Sequence, residues 1–245
     1  MSTTGSLTYL RFELLRALRN TRFFLFSLGF PLVLFLVVAS PNRHETLGGI
    51  PFPVYYLAGM VSWGTMAAVV GSGARISMER AAGWNRQLRL TPLTTRSYLR
   101  AKVLGGYLTA ALSIVLLYAA GIALGVRLPA QRWLGMTVLI LVGLIPFAAL
   151  GIWLGHLLTP EVIGPALGGI TALFALLGGA WGPLASHGFM LHLAQALPSY
   201  WLVQAGRSAV TGTGWGARGW GVIAAWTVVF AVLAARAYRR DTQRV

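Results

Sequence analysis

Apolar residues in this chain run in long stretches, and the charged residues gather between them. Six stretches read as membrane-crossing helices, at about 23–40, 54–73, 103–125, 133–155, 162–182 and 219–235. A helix rises about 1.5 Å per residue, so roughly 20 apolar residues cross a hydrocarbon layer about 30 Å thick. The first stretch contains Pro31 and is closed by Pro41, the fourth contains Pro146 as an expected kink, and the fifth opens near Gly164-Pro165. The sixth is slightly short, and Arg218 and Arg236 can snorkel from its ends. The first stretch does not read as a cleaved leader, because Pro41-Asn42-Arg43-His44 follows it where small residues are needed. The expected fold is an all-α polytopic membrane protein with six transmembrane helices, one domain over residues 1–245.

Segments 41–53, 126–132 and 156–161 read as plain connections, and three other regions carry more. Within residues 5–20, Leu7, Leu10, Leu14 and Leu18 form one helical stripe with Arg16 and Arg19 off it, the pattern of an interfacial helix. The loop 74–102 is basic. Ile76 to Leu90 is expected to make about four helical turns interrupted by Gly83. Thr91-Pro92 then forces a break, and Thr94 or Thr95 caps the helix that leads into the third span. A basic helix projecting there can dock on a soluble partner or rest on anionic lipid. The external segment 183–218 belongs to a stretch, Val162 to Gly206, without Asp, Glu, Lys or Arg. Its middle is expected either to dip back into the outer leaflet or to lie on the surface as an amphipathic helix. Trp181, Tyr200 and Trp201 suit interfacial depth, and Arg207 suits an anchor that binds backbone carbonyls or, as the alternative, a charged landmark at a substrate exit.

Composition narrows the function. Only 10% of the 245 residues are charged and 56% are hydrophobic, which excludes a soluble globule. The 20 basic residues outnumber the 5 acidic ones for a net charge of +15, but long uncharged stretches separate them, unlike a nucleic-acid-binding surface. Most fall in the N-terminal region, in 74–102 and after the sixth span, which puts both termini and the long loop in the cytoplasm. With no cysteine there is no disulfide framework and no thiolate nucleophile. Lys102 is the only lysine and Val103 follows it, so no Walker A loop exists and this chain binds no nucleotide of its own. The acids Glu13, Glu45, Glu79, Glu161 and Asp241 are scattered, as are His44, His156, His187 and His192, so neither a catalytic carboxylate cluster nor a metal site is expected. The spans carry no charged residue at mid-depth. That weakens ion-coupled transport and intramembrane enzymology, and points to energy supplied from elsewhere and to a lipophilic cargo. Glycine pairs four apart (121/125, 151/155, 164/168 and 178/182) permit close helix crossings without identifying one.

The run Glu79-Arg80-Ala81-Ala82-Gly83, then Leu88, Thr91-Pro92-Leu93 and Lys102, resembles the cytoplasmic signature of ABC-2 type transporter permeases, the family of the daunorubicin-resistance permease. The family pattern is approximately Glu-Arg-Glu-x-Gly-Thr-Leu-Glu-x-Leu. Here Ala81 replaces the second Glu, Trp84 the Thr, Asn85 the Leu and Arg86 the last Glu. Leu197-Pro198 through Arg207 resembles the family's Asn-Pro-Leu…Arg segment, with Ala196 in place of Asn. The resemblance implies a permease subunit of an ABC exporter in a bacterial plasma membrane. It also implies a second permease subunit and a cytoplasmic ABC ATPase that holds ATP and Mg. Coupling to that ATPase would fall on Glu79, Arg80, Gly83, Arg86, Leu88, Arg89, Thr91 and Pro92. Pro198, Tyr200, Trp201 and Arg207 would anchor the external segment. The competing expectation is a non-transporting membrane anchor or assembly subunit that recruits a cytoplasmic protein through 74–102.

Overall fold

The computed structural model describes residues 25–83, 94–184 and 187–243. The expected interfacial helix at 5–20 lies outside them. A π-helical turn, Leu25–Gly29, leads into α1, Phe30–Ala39. After α1, the strands β1 (Thr46–Leu47) and β2 (Ile50–Pro51) pair as a minimal antiparallel hairpin around Gly48-Gly49. Both turn glycines have positive φ, 58° and 79°, the geometry a two-residue hairpin loop needs. The remaining helices are α2 (Phe52–Ala74), α3 (Ile76–Ala81), α4 (Thr95–Ala123), α5 (Ala130–Gly143), α6 (Ile145–Leu157), α7 (Pro160–Gly178), α8 (Phe189–Gln195), α9 (Pro198–Thr211) and α10 (Ala217–Gln243).

Among the described residues, five helical stretches are long and apolar enough to cross a membrane: Phe52–Ala81, Arg96–Ala123, Ala130–Leu157, Pro160–Gly178 and Ala217–Asp241. The protein is thus an all-α, multi-pass membrane protein, the tiny hairpin apart. The apolar helix Ser27–Ala39 is shorter than these.

Local chemistry explains several boundaries. Thr94 caps α4, its hydroxyl accepting from the Ser97 amide at 3.3 Å. Pro146 sits in the first turn of α6, and the fourth span is accordingly two helices meeting at Leu144. Other boundaries differ from the sequence expectation. The helix that starts at Ile76 ends at Ala81. Gly83 takes φ 71° and its amide bonds back to the Arg80 carbonyl at 3.0 Å, which closes this short helix; the expected turns towards Leu90 lie outside the described residues. The fifth span starts earlier, at Pro160, holds Pro165 inside, and stops at Gly178 because Gly179 turns left-handed at φ 76°. The last helix does not stop near residue 235. It continues through Arg236, Arg239 and Arg240 to Gln243, since a helix projecting beyond hydrocarbon keeps its backbone bonds while its side chains are solvated.

Helix α2 is the hub, with α1, α4, α6, α7 and α9 packed around it. Its apolar window is 89% buried, against 22% for α7 and 17% for α10, which lie at the periphery. Lipid tails are as apolar as leucine, so burial alone gives helices in a bilayer little reason to associate. Close approach of small residues does. Of the four glycine pairs, Gly151 and Gly155 form a crossing. A Cβ on Gly151 would lie 2.5 Å from the Val70 carbonyl oxygen, and one on Gly155 would lie 2.6 Å from that of Gly73. Gly164 and Gly168 have nothing within 4 Å and face outward instead.

Candidate functional site

Two polar clusters break the apolar interior, one at each end of α2. The first surrounds α3, the short elbow that follows α2 after Arg75. This end of the molecule also carries Arg96, Arg100, Lys102, Arg236, Arg239 and Arg240 on α4 and α10.

Glu79 was expected to face a partner. Its side chain is instead turned inward and only 4% exposed. Lys102 Nζ of α4 lies 2.5 Å from its Oε1, and the Tyr98 hydroxyl donates to Oε2 at 2.5 Å. The lysine itself is 1% exposed, and the Ser72 hydroxyl donates to its backbone carbonyl at 3.0 Å. The sequence reason is periodic. Tyr98 and Lys102 are four apart and therefore share one face of α4, and that face meets α3. Both charges are removed from water, a situation tolerable only when each has a hydrogen-bonded counterpart.

Arg80 points the other way. Its Nη2 donates to Asp241 Oδ1 at 2.6 Å, and its Nη1 donates to the carbonyls of His156 at 2.7 Å and Gly155 at 3.3 Å. Those carbonyls belong to the last turn of α6, where no intrahelical partner is available. His156 Nδ1 stands 3.1 Å from Asp241 Oδ2; since an ionised carboxylate only accepts, Nδ1 carries the proton. The outer face of the elbow consists of Met78, 56% exposed, with Ala81, Ala82 and Gly83. Of the coupling residues named from sequence, Glu79, Arg80 and Gly83 are thus gathered at one elbow. Arg86, Leu88, Arg89, Thr91 and Pro92 lie outside the described residues.

The second cluster holds α8 and α9 at the opposite end. Arg207 donates through Nη2 to the Tyr55 hydroxyl at 2.6 Å and to the Gly179 carbonyl at 2.8 Å. Its guanidinium also lies over the Tyr55 ring, 4.3 Å from the centroid. One cation therefore ties α9 to the start of α2 and the end of α7. Pro198 opens α9, where its missing N–H is harmless. Trp201 donates to the Gln195 carbonyl at 2.9 Å and packs edge-on against Tyr200, ring centroids 5.3 Å apart. The indoles of Trp215 and Trp226 donate to the carbonyls of Trp201 and Ala196, both at 2.8 Å. The Gln195 and Ala196 carbonyls, at the break between α8 and α9, are thus closed by tryptophans. Helix α9 packs on α2, α5, α7 and α10, with Gly206 against the Ala58 backbone.

Sequence reasoning missed Tyr98, Lys102, His156 and Asp241 as site residues. Two signals pointed to them: Lys102 is the chain's only lysine, and Asp241 is a lone acid among Arg236, Arg239, Arg240 and Arg244. Neither signal names a partner. Among the described residues no three His, Cys, Asp or Glu side chains come together as metal ligands.

Residues 52–236, from the start of α2 to near the end of α10, match the model of a family described as ABC-2 family transporter protein. The chain is also 30% identical over 191 residues to YvfS of Bacillus subtilis (strain 168), a protein that bears the name of a transport permease; the match covers 77% of this chain and 78% of that relative.

Proposed function

The chain belongs to the ABC-2 family of transporter proteins, and on that premise we propose that it is the permease of an ATP-driven exporter whose ATP and Mg are held by a separate cytoplasmic ABC ATPase. The observation that carries this reading is the construction of the elbow. Its inner side is seated by Glu79 on α4 and by Arg80 on α6 and α10, while its outer side offers exposed Met78 next to Ala81 and Ala82. A soluble motor moves a membrane domain only through a lever that transmits displacement instead of absorbing it. The apolar knob at Met78 is the docking contact. Arg86 and Arg89 follow closely in sequence and supply positive charge for steering towards an acidic groove.

In this reading the stretch 23–40 completes a sixth crossing and both termini are cytoplasmic, as the distribution of arginine requires. The membrane is a bacterial plasma membrane. A second permease subunit covers part of the sparsely buried periphery, and lipid covers the rest. The cargo is lipophilic or amphipathic, in keeping with spans that hold their charges near the ends.

The test is reconstitution in lipid vesicles with an ABC ATPase co-purified with the chain. ATP-dependent, one-directional movement of a lipophilic fluorophore is expected. Met78→Glu should reduce ATPase association at least tenfold while membrane insertion stays normal. Stable association with no flux for any lipophilic probe would instead support a recruiting anchor.

A further inference from the structure

Asp241 is in the wrong place for an ordinary solvated acid. It lies in the last turn of α10, where the negative end of the helix dipole disfavours a carboxylate. It is nonetheless drawn in, its side chain 16% exposed, and both oxygens are used: one by Arg80 of α3, the other by His156 of α6, whose side chain is 1% exposed. Arg80 is 161 positions away in sequence and His156 is 85. One carboxylate therefore joins three helices, and it does so beside the Arg80 bonds that close the end of α6.

Ring contacts also hold α10 there. Trp153 stacks on Phe230 at 6.3 Å between centroids, and Tyr238 meets His156 edge-on at 5.5 Å. Such contacts compete poorly with lipid, which offers the same dispersion energy. A charge-assisted bond at the membrane boundary has no equivalent from lipid tails and fixes position as well as proximity. The elbow thus has two outputs. Through Glu79 and Lys102 it holds α4; through Arg80 and Asp241 it holds α6 together with α10.

We propose that Asp241 is a positioning residue that fastens the end of α10 to the Arg80 elbow and to α6, so that displacement of the elbow moves the α6–α10 pair. This rests on the reading of the elbow as the place where the ATPase acts. Without the carboxylate the elbow still docks and still moves α4, but α10 no longer follows.

The experiment uses the whole chain in two settings. With the ATPase in vesicles, Asp241→Asn, which keeps size and removes charge, is expected to leave ATPase association within twofold and to lower ATP-driven flux of the lipophilic probe at least tenfold. Asp241→Glu should recover flux to within threefold. Without the ATPase, spin labels go on cysteines introduced at exposed Ala81 and Ala235 of this cysteine-free chain in lipid nanodiscs. A single narrow distance is expected, broadened by Asp241→Asn and restored by Asp241→Glu. Unchanged flux in Asp241→Asn overturns the proposal, whatever the label distances do. So does a tenfold loss that Asp241→Glu fails to reverse, or a label distance that Asp241→Asn leaves narrow. If the unaltered protein neither binds the ATPase nor moves the probe, the functional reading itself fails and the coupling role falls with it. The label distances then still report whether Asp241 ties α10 to the elbow.

Discussion

Glu79 and Lys102 lie 2.5 Å apart with almost no water around either, and their energetics follow from that burial. Removing one partner takes the ion-pair partner from the other, a buried charge, which costs about 3–5 kcal/mol, whereas replacing both with apolar groups of similar size is close to neutral. Lys102→Met alone should therefore lower Tm in detergent micelles by roughly 10 °C, taking about 2–4 °C per kcal/mol for a chain of this size. Adding Glu79→Met to it should recover most of the loss. Thermal unfolding followed by intrinsic tryptophan fluorescence measures both, and a double variant no better than the single one would show that the pair does not act as a unit. The sequence placed Glu79 in the right loop but facing the wrong way. An acid in a basic loop reads as exposed until the fold brings the lysine of the next helix against it.

At the scale of elements, the hub α2 is held by crossings whose closeness depends on missing side chains. At the crossing with α6, the nearest atoms that a Cβ would meet at Gly151 and Gly155 are backbone oxygens, which cannot swing aside. Gly151→Ala should cost at least about 1–3 kcal/mol through overpacking. Gly164→Ala, with nothing within 4 Å, should be neutral or slightly stabilising through helix propensity. The fraction that stays monodisperse after heating, read by size-exclusion chromatography, ranks the two variants. From sequence the two glycine pairs were equivalent, since spacing describes a helix face and not what lies against it. Element ends were legible where the signal is local, as with the Thr94 cap and the Pro146 break. They were not legible where chemistry acts at a distance. The charged tail of α10 stays helical well past its apolar run, with Asp241 held by Arg80 and His156.

For the whole molecule, the elbow and the cluster around Arg207 lie at opposite ends of α2, and the proposed topology puts the elbow end in the cytoplasm. Because the chain has no cysteine, single cysteines report sidedness cleanly. Arg127→Cys, in the loop between α4 and α5, should react with a membrane-impermeant maleimide on intact cells, and Ala81→Cys only after permeabilisation. The opposite pattern would invert the topology and remove the elbow from any cytoplasmic motor. Both ends of the molecule share one construction: a buried or half-buried cation set against oxygen acceptors, Lys102 and Arg80 at one end and Arg207 at the other. Between them the interior is mostly apolar, joined by small residues and by single hydrogen bonds between helices such as Ser62 to the Leu202 carbonyl and Tyr107 to the Leu141 carbonyl.

By itself the sequence determined that this is a helical, multi-pass membrane protein, approximately where its long helices run, and that its only lysine leaves no nucleotide loop. These are local properties, because a bilayer offers no solvent for backbone amides and so forces each long apolar run into a helix. Only the tertiary structure decided which charges meet. Glu79 finds Lys102 23 positions away and Arg80 finds Asp241 161 positions away, and no periodicity in a single chain records a contact made across helices. The physical reason is that pairing depends on which helix faces pack. In a membrane that is settled by close approach at residues such as Gly151 and Gly155, not by how hydrophobic the helices are.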